Sequence, residues 1–257
     1  MADRRRKAGP PDDSRDAALS SSFSYFSSWL NRKRFETEAQ SEMNSHMLYR
    51  QLANHLLRGD QQIDTPESLA TQLKELSDRN KQMEQFGITP HADVAGTVTL
   101  LSNSPENKRE ILSQVLTPYV RGFRSRVEAQ EKLFALLTRF VQRVNTFLVD
   151  KHVSVDARSG ISVLSNDRPH AQILPAHLSS GEKHLLTLLC NAMATRDVAS
   201  LFIIDEPELS LNITWQRALV DALLECIEGS RCQFLMASHS TELFAQHRRA
   251  VVRLVSE

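Results

Sequence analysis

One short stretch decides the fold class of this chain, and it reads Leu201-Phe202-Ile203-Ile204-Asp205-Glu206-Pro207. Its four large apolar residues predict a strand that is buried on both faces, as the strands of parallel sheets are. Two acids follow directly, and open parallel sheets bind ligands at the carboxyl ends of their strands. Adjacent carboxylates on a strand point in different directions, so one can hold hydrated Mg²⁺ while the other faces a water molecule. The same pattern also fits an ordinary strand that ends in an acidic turn.

Helices and strands alternate around this stretch. The apolar pattern predicts a helix over 181–195 before it and a helix over 215–227 after it. Further strands are predicted at 233–237 and 251–254, with a short helix at 241–247 between them, and a hairpin around Ser159-Gly160 precedes them all. Because strands that alternate with helices imply a parallel sheet, residues 151–257 are predicted to form an α/β lobe.

The residues before this lobe are predicted to form a mobile tail and then a helical region. Residues 1–22 are polar and interrupted by glycine and proline, which is typical of a tail. Residues 23–150 are predicted to hold a helix over 23–58, a second one that starts at Thr65-Pro66, and a long amphipathic one. A short strand is also compatible with residues 97–101. The apolar stripe of the long helix consists of Leu133, Leu137, Phe140, Val144 and Phe147.

Two other segments of the lobe could carry chemistry. Small residues at a helix start expose N–H groups that attract anions, and the first segment is of this kind, Leu178-Ser179-Ser180-Gly181-Glu182-Lys183. Ser-Ser-Gly-Glu fits a plain capping box equally well. The second segment contains His239, which follows the strand predicted at 233–237 and can donate to a phosphate or position a water molecule. A solvated loop histidine is the alternative.

In this order, the segments resemble the C-terminal half of an ABC-type ATPase over residues 153–254. Residues 178–182 resemble the signature motif, with Ser180 at its first glycine position, and residues 202–206 resemble Walker B. Residues 208–212 resemble the D-loop, and His239 resembles the switch histidine. The residues of these motifs are most similar to those of the RecF/SMC/OLD-related ATPases within the AAA-like P-loop NTPases. More weakly, residues 26–38 resemble the helical insert of those proteins.

The resemblance implies an ATPase with ATP and Mg²⁺ as cofactors. Asp205 would coordinate Mg²⁺ through water, Glu206 would polarise the attacking water, and His239 would contact the γ-phosphate. Ser179 and the Gly181 N–H would touch ATP held by the opposite subunit, so a dimer with ATP at its interface is implied. The nucleotide-binding set that the resemblance implies comprises Ser179, Ser180, Gly181, Glu182 and Asn212. Asn212 stands where relatives have His or Asp.

The phosphate-binding loop of this family, G-x-x-x-x-G-K-[ST], has no counterpart in the chain. Only eight of the 257 residues are glycine, fewer than the usual ~7%. No two of them are spaced as the motif requires, and none precedes Lys-Ser or Lys-Thr. Two explanations follow. The chain is one part of a split or truncated ATPase that a subunit or lobe with a Walker A motif completes, or it is a decayed ATPase that acts as a protein-interaction module.

Composition and charge exclude several classes of protein. Lys plus Arg number 31 and Asp plus Glu number 31, so the chain lacks the net positive charge that is typical of nucleic-acid-binding proteins. Local basic clusters could still contact DNA. The longest apolar run is Leu133–Leu137, which predicts no membrane helix, and no apolar stretch follows the basic N-terminus as in a secretory signal. The three cysteines are predicted to be buried thiols in a reducing cytoplasm. The resemblance to RecF/SMC/OLD-related ATPases implies a role in DNA maintenance or antiphage defence. Any nuclease that acts with this chain is expected to be a separate chain.

Overall fold

The computed structural model describes residues 13–58, 64–89, 94–168, 171–198 and 201–252, with side chains outside positions 13, 38 and 40–58. These residues divide into two compact units. The α/β unit contains the residues up to Leu30, Arg139–Val155 and the residues from Ser159 onward. The helical unit contains Asn31–Thr138 and Asp156–Arg158. The fold class is mixed α/β, as predicted, but the units do not follow the boundary predicted near residue 150.

The secondary structure alternates in the C-terminal half, as the sequence predicts. Short 3₁₀ helices at Pro175–His177 and Arg248–Ala250 accompany the main elements. In chain order, the main elements are α1 (Asp13–Arg58), α2 (Pro66–Glu84), α3 (Val94–Asn103), α4 (Glu106–Asn145), β1 (Lys151–Asp156), β2 (Gly160–Ser165), α5 (Ser180–Thr195), β3 (Leu201–Asp205), α6 (Ile213–Ile227) and β4 (Gln233–Ala237).

The α/β unit is built on two pairs of strands. β1 and β2 form the predicted hairpin, with Gly160 at φ 88°, a conformation that favours glycine. β3 pairs in parallel with β4, and the register places Leu201 opposite Gln233 and Asp205 opposite Ala237. α6 connects these two strands, so the predicted strand–helix–strand unit with parallel strands is confirmed.

The N-terminal part of α1 belongs to the core of the α/β unit. Leu19, Phe26 and Leu30 are fully buried, and the Phe26 ring stacks on Phe140 with centroids 5.0 Å apart. Trp29 is also buried, and its Nε1 donates to Asp197 Oδ2 at 2.8 Å. The tail predicted over residues 1–22 is therefore corrected for residues 13–22, which are helical because an apolar side of the helix is buried there. Residues 1–12 lie outside the described residues.

The helical unit confirms one predicted helix start and corrects one predicted strand. Thr65 caps α2, since its side chain accepts from Ser68 N at 3.2 Å, and Pro66 occupies the first turn. Residues 97–101, for which a strand was compatible, lie in the helix α3, because Val94 and Leu101 pack in the same buried cluster as Leu69 of α2. Within the described residues, no helix is both long and apolar enough to cross a membrane.

The long helix α4 agrees with its predicted apolar stripe, whereas the C-terminal segment differs from its predicted secondary structure. All five residues of the apolar stripe between Leu133 and Phe147 are buried, as predicted. The helix begins earlier than expected, at Glu106, and includes Pro118. The short helix predicted at 241–247 is a series of turns, and residues 251–252 form no strand. The rest of the strand predicted at 251–254 lies outside the described residues.

The three cysteines are buried and unpaired with one another, as predicted. Burial raises the pKa of the Cys190 thiol well above its ordinary value and raises the pKa of Cys226 to about 12. Both therefore behave as small apolar side chains of the core near neutral pH.

Candidate functional site

The acidic and histidine residues predicted to carry chemistry lie at the carboxyl ends of the two parallel strands. Asp205 ends β3, Glu206 follows it, and His239 follows the end of β4 by two residues. Because Asp205 is in register with Ala237, both loops leave the sheet at the same edge. His239 Nε2 lies 3.5 Å from Glu206 Oε1, so the structure brings these two predicted residues together.

Glu206 adopts an unusual backbone conformation. Its φ is 45°, in the left-handed region that non-glycine residues rarely occupy. The Glu206 N–H donates to the Ala237 carbonyl oxygen at 2.8 Å, so the edge of β4 holds the residue in this conformation. Backbone strain of this kind clusters at functional sites, where the surrounding structure maintains it. Glu206 is the first residue after β3, next to the exposed Asp205 that ends the strand.

A third carboxylate, which the sequence analysis did not single out as a site residue, lies between these loops. Glu208 Oε1 accepts the backbone N–H of His239 at 3.1 Å and that of Ser240 at 3.2 Å. A hydrogen bond with Glu208 raises the pKa of Glu206, with desolvation as the next cause. For Glu208, burial favours a higher pKa, but hydrogen bonds from the Ser238 hydroxyl and backbone amides outweigh it and lower the pKa. The two carboxylates therefore interact, and their protonation steps belong to the pair rather than to either residue.

The turn that resembles a signature motif is a fully formed capping box. Ser179 Oγ accepts from Glu182 N at 3.3 Å, and Glu182 Oε2 accepts from Ser179 N at 2.8 Å. Lys151 donates to the other oxygen of Glu182 at 2.8 Å. Burial favours a higher pKa for Glu182, but the hydrogen bonds from Lys151 and Ser179 outweigh it and lower the pKa. Ser179 and Ser180 are exposed at the start of α5, where an anion could reach the Ser179 hydroxyl and the Ser180 N–H.

Gly181 packs against the turn that resembles a D-loop. A Cβ at this position would lie 2.6 Å from the carbonyl oxygen of Ser210, so no side chain fits without movement of the backbone. Ser210 itself has φ 65°. His184 connects the same two segments, since its Nε2 lies 3.0 Å from the Pro207 carbonyl oxygen, and burial lowers its pKa. A predicted ligand-binding glycine is thus also a packing requirement of the fold.

Asn212 acts as the N-cap of α6. Its Oδ1 accepts from Trp215 N at 2.9 Å, which satisfies one of the free N–H groups of that helix. Asn is a good capping residue, and this accounts for the side chain at the position without any ligand. Its proposed contact in a D-loop stays a prediction.

Metal-binding capacity at the site is limited to a few carboxylates. In the part of the chain that the structure describes, no group of three or more His, Cys, Asp or Glu side chains could hold a metal ion by itself. Mg²⁺ is commonly bound by one or two carboxylates, with waters and substrate phosphates as its other ligands. Asp205, exposed at the carboxyl end of β3, fits that kind of incomplete site.

Comparison with known protein families gives one match that covers most of the chain. The model of a family described as "AAA domain, putative AbiEii toxin, Type IV TA system" matches residues 10–245. No curated protein matches the chain. The matched region includes Walker B-like residues 202–206, the signature-like turn and His239.

Proposed function

Since this chain belongs to the family of AAA domains described with a putative AbiEii toxin, we propose that it is the ATP-binding and ATP-hydrolysing component of an ABC-type ATPase of the RecF/SMC/OLD-related group. It supplies the signature motif, Walker B and the switch histidine to a composite site. A subunit or lobe with a Walker A motif completes that site. The family by itself supports the coarser statement, ATP-binding NTPase activity.

One observation carries the proposal: Glu206 and His239 lie 3.5 Å apart at the carboxyl end of a parallel strand pair. The residues come from loops that are separated by a whole helix in the sequence, yet they meet where parallel sheets bind ligands. A carboxylate beside an imidazole can accept a proton from water and donate a hydrogen bond to a phosphate oxygen. In this site, Glu206 orients the attacking water and His239 contacts the γ-phosphate.

The other site residues have roles that follow from their positions. Asp205 would hold Mg²⁺ through water, and the ion would supply positive charge that neutralises the phosphates. Ser179, Ser180 and Gly181 lie at the start of α5, where Ser179 and the Gly181 N–H would touch the γ-phosphate of ATP held by an opposite subunit. Phosphoryl transfer depends almost entirely on positioning and electrostatic stabilisation, so every part is required.

A bare apolar sheet face supports the proposal that another lobe completes the site. Side chains at alternate positions share a face of a strand. Leu201 is 49% exposed, Ile203 69% and Leu235 57%, and they share this face with Asp205. Parallel sheets normally bury both faces. A lobe that covers this face would therefore also reach the proposed Mg²⁺ ligand.

On this proposal, the covering layer comes from outside the chain. Residues 1–12, which the structure does not describe, are rich in charge and proline. Such a segment lacks the apolar surface that a sheet face requires. We therefore assign the face to the phosphate-binding lobe, which on this proposal is the one part of the ATPase that the chain lacks.

The isolated chain is expected to show almost no ATP turnover, because nothing in it resembles a loop that grips the β- and γ-phosphates. Co-expression with a polypeptide encoded beside it that carries G-x-x-x-x-G-K-[ST] should restore turnover, measured as phosphate release at saturating Mg-ATP. Robust hydrolysis by the purified chain alone would contradict the missing-lobe account. No turnover and no thermal stabilisation by Mg-ATP in the complex would favour the interaction module.

The sheet face can be tested with one charged substitution. Ile203→Asp should leave the free energy of unfolding of the isolated chain within ~0.5 kcal/mol, since the side chain is already exposed. The same substitution should prevent association with the completing lobe, measured by co-purification, and so abolish restored turnover. Val198→Asp provides the control, since Val198 is 76% exposed but lies in a turn and not in a strand. Normal association of the Ile203 variant would contradict the proposed docking.

The process that the ATPase cycle drives is proposed as DNA maintenance or antiphage defence. The resemblance to RecF/SMC/OLD-related proteins supports both, and the family description, which names a putative toxin, fits the second more directly. DNA or a separate nuclease is a candidate partner on the same grounds. A dimer with ATP at the interface is the proposed assembly, and the exposure of Ser179 and Ser180 at the start of α5 is compatible with it.

A further inference from the structure

Glu208 is the first residue of the segment that resembles a D-loop, but neither the family match nor the resemblance assigns a role to its side chain. It is the first residue of the turn after Pro207, and its carboxylate points to the loop after β4, 31 positions further along the chain. Both N–H groups that it accepts belong to residues outside regular secondary structure. Without Glu208, two backbone donors next to the candidate site would have no acceptor from this turn.

The His239 side chain has little else to hold it in place. It is 96% exposed, so packing does not select its position, and its Nε2 lies slightly beyond hydrogen-bond distance from Glu206. The placement of the imidazole therefore depends on the backbone of residues 238–240. Ser240 reinforces that backbone, because its Oγ donates to Gln216 Oε1 at 2.7 Å and its N–H also approaches Ser238 Oγ at 3.0 Å.

Glu208 also adjoins Glu206. The interaction with Glu208 raises the pKa of Glu206, and the backbone N–H of Glu206 donates to the Ala237 carbonyl oxygen. One side chain thus contacts both elements of the site: the turn that carries Glu206 and the loop that carries His239.

From this geometry we propose that Glu208 is a positioning residue that locks the His239 loop to the Glu206 turn. The catalytic part of this proposal rests on the proposed function. The coupling of the His239 loop to the Glu206 turn through Glu208 is a property of the isolated chain. Glu208 acts through backbone amides, so its carboxylate oxygen is what matters. A side chain that keeps an acceptor oxygen at the same distance should substitute for it in part.

The coupling is tested by amide hydrogen exchange of the full chain, measured by NMR. Glu208→Ala should speed the exchange of the His239 and Ser240 amides by about tenfold or more, the effect of losing a charge-assisted hydrogen bond. Glu208→Gln keeps an acceptor oxygen and should stay closer to the unsubstituted chain. Amides in the middle of α5 should not change in either variant, which separates positioning from general destabilisation.

The control is Glu242→Ala, which removes a neighbouring carboxylate that bonds Arg217 at 2.7 Å on the surface. Its His239 and Ser240 amides should exchange at the unsubstituted rate. If Glu208→Ala does not fold, Glu208→Asp serves instead, because it withdraws the acceptor by one methylene and should also speed both amides. Unchanged exchange in a folded Ala or Asp variant overturns the proposal.

A second measurement links the coupling to the reaction in the completed assembly. Glu208→Ala should lower kcat about tenfold or more with KM for ATP almost unchanged, since it misplaces groups that act on the transition state. Glu208→Gln should recover part of kcat. Equal loss of turnover in both variants overturns the positioning role. If instead Glu206→Gln leaves turnover intact, the proposed function fails, while the exchange result for Glu208 stands independently.

Discussion

Replacing Glu206 by glutamine is expected to reduce ATP turnover by the completed assembly by about 10²- to 10⁴-fold, the usual contribution of a general base. Glutamine keeps nearly the same shape but cannot accept a proton from the attacking water. ATP binding should survive, because the phosphates are held by other groups. Nucleotide should therefore accumulate in an assembled dimer, detected by size-exclusion chromatography with Mg-ATP and by analysis of the retained nucleotide.

The backbone conformation of residue 206 should not change when glutamate is replaced by glutamine. The backbone strain at φ 45° and the bond from its N–H to Ala237 do not depend on the side-chain charge. Glutamine should therefore leave the turn intact. Glu242→Gln is the matched control, since that carboxylate is paired with Arg217 on the surface. Undiminished hydrolysis by the Glu206 variant would exclude this residue as the base.

Replacing Phe26 by alanine is expected to destabilise the α/β unit by about 3–5 kcal/mol, the usual cost of removing a buried phenylalanine. Phe26 is fully buried, stacks on Phe140, and lies 5.6 Å from Trp29 between ring centroids. Urea unfolding monitored by tryptophan fluorescence measures the effect within this unit, because both tryptophans of the chain, Trp29 and Trp215, belong to it.

The neighbouring aromatic residue supplies the control. Tyr25 is 67% exposed on the same helix, so Tyr25→Ala should change the free energy of unfolding by less than ~0.5 kcal/mol. Similar losses for both variants would mean that α1 does not pack as described. The test bears directly on the corrected tail, since Leu19 lies on the same buried side of α1 two turns earlier.

Much of the α/β unit could be predicted because its signals are local. β4 occupies 233–237 as predicted, and β3, α5 and α6 start or end within two residues of expectation. Apolar runs bounded by turn residues determine these elements. The same logic failed at residues 13–22, where the polar and punctuated composition concealed the helical spacing of Leu19, Phe26 and Leu30. It failed also at 97–101, whose apolar residues suit a strand until packing against α2 selects a helix.

Some residues of the candidate site could likewise be predicted from local sequence, and others could not. Asp205, Glu206 and His239 were predicted because each follows an apolar strand, and strand ends converge in a parallel sheet. Glu208 was missed because its partners are 31 and 32 residues away in the sequence, and an acid in a turn carries no local mark of what it contacts. The role of Gly181 in packing was hidden for a similar reason, since the Ser210 carbonyl that excludes a side chain is a distant neighbour.

By itself, then, the sequence determined which segments are strands and helices, and which acids and histidine end up at strand termini, because hydrophobic periodicity and turn chemistry act over a few residues. Only the tertiary structure decided that Glu208 holds the His239 loop, that Gly181 lies against Ser210, and that Leu201, Ile203 and Leu235 leave one sheet face bare. Those features depend on which distant side chains and backbone atoms packing brings within contact distance, and no local pattern of residues specifies that.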